Sequence, residues 1–133
     1  MNKLAVALAT ATALLAAPAV HAGDKPKGEE KLARMLEGRE AGKPVDCLPY
    51  SATRDVKVID KTAIVYGSGR TIYVNRPTNA RDLDDDDILV TRQSTSRLCR
   101  LDTVRLHDQS GHFFTGFVGL EDFVPYRRVA SSN

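Results

Sequence analysis

The chain has 133 residues, with 19 Lys and Arg against 17 Asp and Glu, a formal charge of +2 and only two cysteines. Near-neutral charge with scattered basic residues excludes a strongly basic nucleic-acid-binding or anionic-membrane-binding domain. The length excludes two domains of ordinary size.

The N-terminus opens with Lys3 and an apolar run from Leu4 to Val20, closed by Val20-His21-Ala22 before Gly23. A cation, a short apolar stretch and small residues two apart describe a cleavable export signal over residues 1–22. The run falls at or below the roughly 20 apolar residues a membrane span needs, and no later segment approaches that length. The expected product is a periplasmic or secreted chain of about 110 residues, one domain's worth, that is not an integral membrane protein.

Residues 23–28 are rich in Lys, Pro and Gly, which predicts a flexible N-terminal segment. From Glu29 to Glu40, Leu32, Met35 and Leu36 recur at helical spacing behind Glu29 and Glu30. This predicts one short helix ending near Gly38 or Gly42, docked through those three side chains because a three-turn helix is marginal alone.

After Pro44 the texture becomes Val, Ile, Thr, Tyr and Phe broken by turn residues, the mark of a mainly β domain. Strands are expected at Val56 to Ile59, Thr62 to Tyr66, Thr71 to Asn75, Ile88 to Arg92, Arg97 to Leu101, Thr103 to His107 and Phe113 to Val118. Gly67-Ser68-Gly69-Arg70 and Asp108-Gln109-Ser110-Gly111 are their turns. In the first hairpin Ala63, Val65, Ile72 and Val74 share one face, and Thr62, Ile64, Tyr66, Thr71 and Tyr73 share the other. The expected fold is a small antiparallel β-barrel or sandwich with one N-terminal helix, spanning 29–128, followed by a disordered tail at 129–133.

Cys47 and Cys99 are the only cysteines and lack the close spacing of zinc or redox motifs, so in an exported chain they predict one disulfide. Cys47 is too far from the cleavage point to carry a lipoprotein's lipid.

Three constellations could carry chemistry. Asp82, Asp84, Asp85, Asp86 and Asp87 place five carboxylates in six residues; calcium is the cation such a loop would take, though the spacing is not that of an EF-hand. The alternative is a solvated loop paired with Arg76, Arg81 and Arg92. His107, Asp108 and His112 flank a predicted turn and could form a weak metal site or a small hydrolase's acid-base group, although a catalytic zinc normally has three protein ligands with a second shell. Gly67-Ser68-Gly69-Arg70 lacks the Lys-Ser/Thr ending and following helix of a phosphate loop, and Ser68 and Ser110 lie in no nucleophile elbow. No catalytic residue is assigned, and no cofactor is expected beyond that possible calcium. The aromatic stretch Phe113, Phe114, Phe117, Phe123 and Tyr126 is expected inside, since a small domain without Trp needs its Phe rings for a core; only a contiguous exposed patch would make it an interaction surface.

Several segments together resemble a family of small exported proteins of Gram-negative, mostly alphaproteobacterial bacteria, known only as a domain of unknown function. They include Ala41-Gly42-Lys43-Pro44-Val45-Asp46-Cys47, Thr62-Ala63-Ile64-Val65-Tyr66, Tyr73-Val74-Asn75-Arg76-Pro77, Asp86-Asp87-Ile88-Leu89-Val90-Thr91-Arg92, Leu98-Cys99 and Phe123-Val124-Pro125-Tyr126. The resemblance implies an envelope location with both cysteines in the shared pattern, and no activity. The function expected is therefore a non-enzymatic binding or structural component of the envelope, whose partner is another envelope protein or component and not nucleic acid; the alternatives are the calcium module and the hydrolase.

Overall fold

The computed structural model describes residues 26–92 and 95–130. The expected signal at 1–22, residues 23–25 of the N-terminal segment and the last three residues lie outside that range. In chain order the elements are α1 (Lys27–Met35), β1 (Arg39–Ala41), β2 (Cys47–Pro49), β3 (Val56–Ile59), β4 (Ala63–Tyr66), β5 (Thr71–Asn75), β6 (Asp87–Thr91), β7 (Arg97–Cys99), β8 (Thr103–Asp108), β9 (Phe114–Gly119) and β10 (Phe123–Arg128). Short 3-10 turns lie at Tyr50–Thr53 and Ala80–Asp82.

The strands form a five-stranded sheet in the order β1-β10-β5-β4-β3, a three-stranded sheet β6-β8-β9 and a two-stranded ribbon β2-β7. Every pairing is antiparallel. The described sheets stay open, which decides for a sandwich over a closed barrel.

Alternation in the β4–β5 hairpin sorts its side chains as expected. Ala63, Val65, Ile72 and Val74 join Leu32 and Ile59 in a cluster that Met35, Leu36 and Tyr126 border, so α1 lies on this face. Ile64 and Tyr66 point the opposite way, into a second cluster with Leu48, Leu98, Val104, Leu106, Val118 and Phe123. Covered on both faces, β4 is buried along its whole length. The layers run helix, five-stranded sheet, three-stranded sheet, with the two-stranded ribbon supplying Leu48 and Leu98 to the inner core.

Cys47 and Cys99 are directly opposite each other in the ribbon and form the disulfide, Cα to Cα 3.9 Å. Their neighbours Leu48 and Leu98 are each only 1% exposed. The covalent link therefore holds together a pairing of two three-residue strands that would be marginal by itself.

Besides one-residue shifts in several strands, β7 stops at Cys99 rather than Leu101, because the chain turns there, with Asp102 donating to the Cys99 carbonyl and Leu101 at φ 70°. The helix and the C-terminal segment also differ from the sequence reading. The helix begins at Lys27 rather than Glu29, because Pro26, with no N–H to lose, serves as its N-cap and its carbonyl accepts from Glu29 at 2.9 Å. It ends at Met35, and Gly38 at φ 70° turns the chain into β1, which pairs Arg39 to Arg128. The C-terminal segment is tied down as far as Val129, whose N–H donates to the Gly38 carbonyl at 3.0 Å.

Strands β1, β2 and β10 were not expected. β10 carries Pro125 in an inner position, where a proline normally breaks pairing. The Pro125 carbonyl accepts from Gly42, just past the end of β1, so the missing N–H faces the gap between that contact and the Val45–Phe123 bridge, where pairing along this edge is interrupted.

Candidate functional site

The outer face of the three-stranded sheet is the surface with a functional signature. Leu89, Val104, Leu106 and Val118 turn inward to the core. Residues of opposite parity then point outward, in two cross-strand rows: Ile88, His107 and Phe114, and Val90, Arg105 and Phe117.

In a regular strand Phe114 and Phe117, three apart, would lie on opposite faces. The pairing shifts between Leu106 and His107: Leu106 faces Gly116, whereas His107 faces Phe114, leaving Thr115 as the extra residue of a bulge. Gly116 adopts φ 154° there, and both rings emerge on the solvent side.

This corrects the expectation that the aromatic stretch fills the core. Of the four Phe residues only Phe123 is buried, whereas Phe113, Phe114 and Phe117 are 59%, 48% and 59% exposed. Rings of this kind carry about 150–250 Å² each, so Phe114 and Phe117, the two on this face, leave roughly 200 Å² of aromatic surface in water. With the part-exposed Ile88 and Val90 alongside, the patch amounts to roughly 300 Å², the size of the largest apolar patch on an ordinary monomer. The signal in the sequence was a glycine inside a strand pattern, which points to a bulge and so to a change of side-chain parity.

Between the aliphatic and aromatic columns, β8 supplies the polar groups. The Arg105 guanidinium carbon lies 5.0 Å from the Phe114 ring centroid, a cation–π contact, and the His107 ring meets Phe114 edge-on at 5.9 Å. Arg105 forms no ion pair among the described residues. The far edge of β9 is capped: Asn79 donates to the Phe117 carbonyl at 2.8 Å and accepts from the Gly119 N–H at 3.1 Å. That cap fixes the plane of the face and blocks strand addition along this edge.

The acidic loop is split up by the fold. Asp82 accepts from Asn79 and lies beside Arg81. Asp87 accepts from the Asp84 N–H at 2.8 Å and from Thr115, and Asp84 in turn accepts from the Asp86 N–H, so these carboxylates close the loop itself. The carboxylates that gather within 4.8 Å of one another are Asp84, Asp85 and Asp60, the last arriving from the β3–β4 turn and absent from the sequence reading. Lys27, Lys31 and Lys61 line the same shallow hollow and offset its charge.

His107, Asp108 and His112 do not form a comparable ligand group among the described residues. The Asp108 carboxylate accepts from the Gly111 N–H at 2.6 Å, shaping the β8–β9 turn, and His112 is exposed at φ 54°. Gly67 and Gly69, at φ 87° and 83°, make the β4–β5 connection the strand turn expected of it, with Ser68 donating to Asp55 at 2.8 Å. Between the edge strands β3 and β6 lies an open hollow of about 400 Å³, where Lys31 and Lys57 sit beside Asp85, Asp86 and Asp87 above Val56, Val58 and Leu89.

Comparison of the chain with protein-family models, with curated proteins and with solved structures finds no match to any of the three. No helix among the described residues is long and apolar enough to cross a membrane.

Proposed function

We propose that this chain is an exported, non-enzymatic binding or structural component of the bacterial envelope that works through protein contacts on the outer face of its three-stranded sheet. The observation that carries the reading is the outward placement of Phe114 and Phe117 beside Ile88 and Val90, around an Arg105 that lacks a carboxylate partner among the described residues. A folded domain gains nothing in stability by holding such rings in water; a partner that covers them does.

Export is supported by Lys3, the apolar run and the Val20-His21-Ala22 boundary, together with the Cys47–Cys99 disulfide, which suits an oxidising compartment. Membership of the exported family named above belongs to the same proposal. A catalytic role has no comparable support, since Asp108 is engaged in its own turn. The calcium module has less support than the binding face, because Asp84 and Asp87 already accept loop N–H groups and three lysines line the remaining hollow.

The test is a photo-crosslinking amino acid at Val90 in the protein expressed in its own envelope, with the same group at Lys57 as a control. Discrete adducts from position 90 and none from position 57 are expected. No adduct from position 90, with the protein folded and exported, removes the reading; N-terminal sequencing of the mature chain should begin at Gly23.

A further inference from the structure

We infer that the partner of this face is a second copy of the same chain, docked face to face with its strands reversed; this rests on reading the outer sheet face as a contact surface. The face is close to its own image under a half-turn about an axis in its plane and perpendicular to the strands. Each strand then lies over its own counterpart with the two cross-strand rows exchanged.

On β6 that operation sets Ile88 over Val90 of the second copy, aliphatic on aliphatic. On β9 it sets Phe114 over Phe117, ring on ring, the bulge having brought both to this side. On β8 it brings Arg105 towards the other copy's His107 and Phe114, so a guanidinium already held over one ring gains a second.

Charge complementarity selects this half-turn over the alternative. Asp86 and Arg92 flank β6, each two residues beyond an outward-facing aliphatic, and both are exposed. The backbone ladder reaches the first of them, because Gln109 donates to the Asp86 carbonyl at 3.2 Å, in step with the Ile88–His107 and Val90–Arg105 pairs. Reversing the strands places each Asp86 against the partner's Arg92, twice per dimer. A half-turn about an axis parallel to the strands and running along β8 would instead put Arg105 on Arg105, which like-charge repulsion disfavours, and would carry Asp86 to the β9 side, away from any Arg92. An isologous contact of this kind closes on itself and leaves no face to propagate. A three-stranded face lies at the small end of specific interfaces, so a dimer of micromolar rather than nanomolar affinity is expected.

Sedimentation equilibrium of the mature chain tests this. The wild type should show a reversible monomer–dimer equilibrium, and Phe117→Ser, on an exposed side chain, should weaken it at least tenfold with an unchanged melting temperature. Arg92→Asp should weaken it as well, and the exchanged pair Asp86→Arg/Arg92→Asp should restore it, which a dimer through any other surface would not do. A wild type that stays monomeric up to roughly 1 mM, the weak limit of specific association, overturns the proposal. So does a dimer indifferent to Phe117→Ser, or one that the exchanged pair does not rescue. If the chain is monomeric while Val90 crosslinks to a different protein in the envelope, the second-copy proposal fails and the contact-surface reading stands. Phe117-dependent binding of a monomer to phosphatidylglycerol vesicles would overturn both in favour of a lipid surface.

Discussion

Replacing both cysteines, Cys47→Ser/Cys99→Ser, removes the one covalent constraint on the unfolded chain. The disulfide closes a loop of 52 residues, and on the chain-entropy model its loss costs about 4 kcal/mol at 25 °C. Stability of an ordinary domain totals about 5–15 kcal/mol, so the variant is expected to sit near the edge of folding. For a domain of this size each kcal/mol moves the midpoint by about 4–8 °C, which puts the expected fall at roughly 20 °C or more. The folded state should otherwise change little, since Leu48 and Leu98 remain in the core and both cysteines are only part-buried. The chain has no Trp, so urea unfolding is best followed by far-ultraviolet circular dichroism. Because the uncrosslinked unfolded chain exposes more surface, the denaturant slope should rise as the midpoint falls. A loss below about 1 kcal/mol with an unchanged slope would refute the view that the staple acts mainly on the unfolded state.

Asn75 is fully buried and exchanges two hydrogen bonds with Glu121, donating to its carbonyl at 2.6 Å and accepting from its N–H at 3.2 Å. Asn75→Leu orphans both backbone groups and should cost about 2–3 kcal/mol in urea unfolding, whereas an unchanged midpoint would mean water replaces the amide. Glu29 grips Arg76 at 2.6 and 3.1 Å, and that hydrogen-bonded pair lowers its pKa. A lowered carboxyl pKa adds stability above its unfolded value and loses it as pH falls through the folded one, so Glu29→Gln should flatten the acid limb of the melting curve by less than about 1 kcal/mol, the pair being exposed. Burial pushes the Tyr66 phenol well above the ordinary tyrosine range. Stability from that group is present below the unfolded pKa and is lost as pH rises above it. Alkaline difference spectra should therefore show one of the four tyrosines ionising only as the domain unfolds; four smooth titrations in folded protein would contradict the burial. Millimolar calcium should leave the melting temperature unchanged, and a saturable rise abolished by Asp84→Asn would restore the metal module.

Strands β3 and β5 coincide with their expected limits and β4, β6, β8 and β9 fall within a residue of theirs, because side-chain alternation is written into a few consecutive residues. β1, β2 and β10 were illegible for the opposite reason: Arg39-Glu40-Ala41 and Cys47-Leu48-Pro49 have little intrinsic strand character, and in β10 Pro125 interrupts the strand-forming Phe123, Val124 and Tyr126, so these segments extend because neighbouring strands accept them. The acidic loop was visible as composition, but the arrival of Asp60 beside Asp84 and Asp85 depends on how the β3–β4 turn docks. Asn75 and Asn79 gave no signal at all, since each serves backbone groups roughly 40 residues away or more.

By itself the sequence determined a mainly β domain with one amphipathic helix, the sorting of the β4–β5 hairpin into two faces, and the only pair of cysteines that could join. These follow from periodicity and counting, which need no knowledge of what lies across the core. Only the tertiary structure decided that Phe123 goes inside while Phe114 and Phe117 stay out. One added residue in β9 reverses the parity of every side chain beyond it, and which parity faces the core is set by the sheet on the other side.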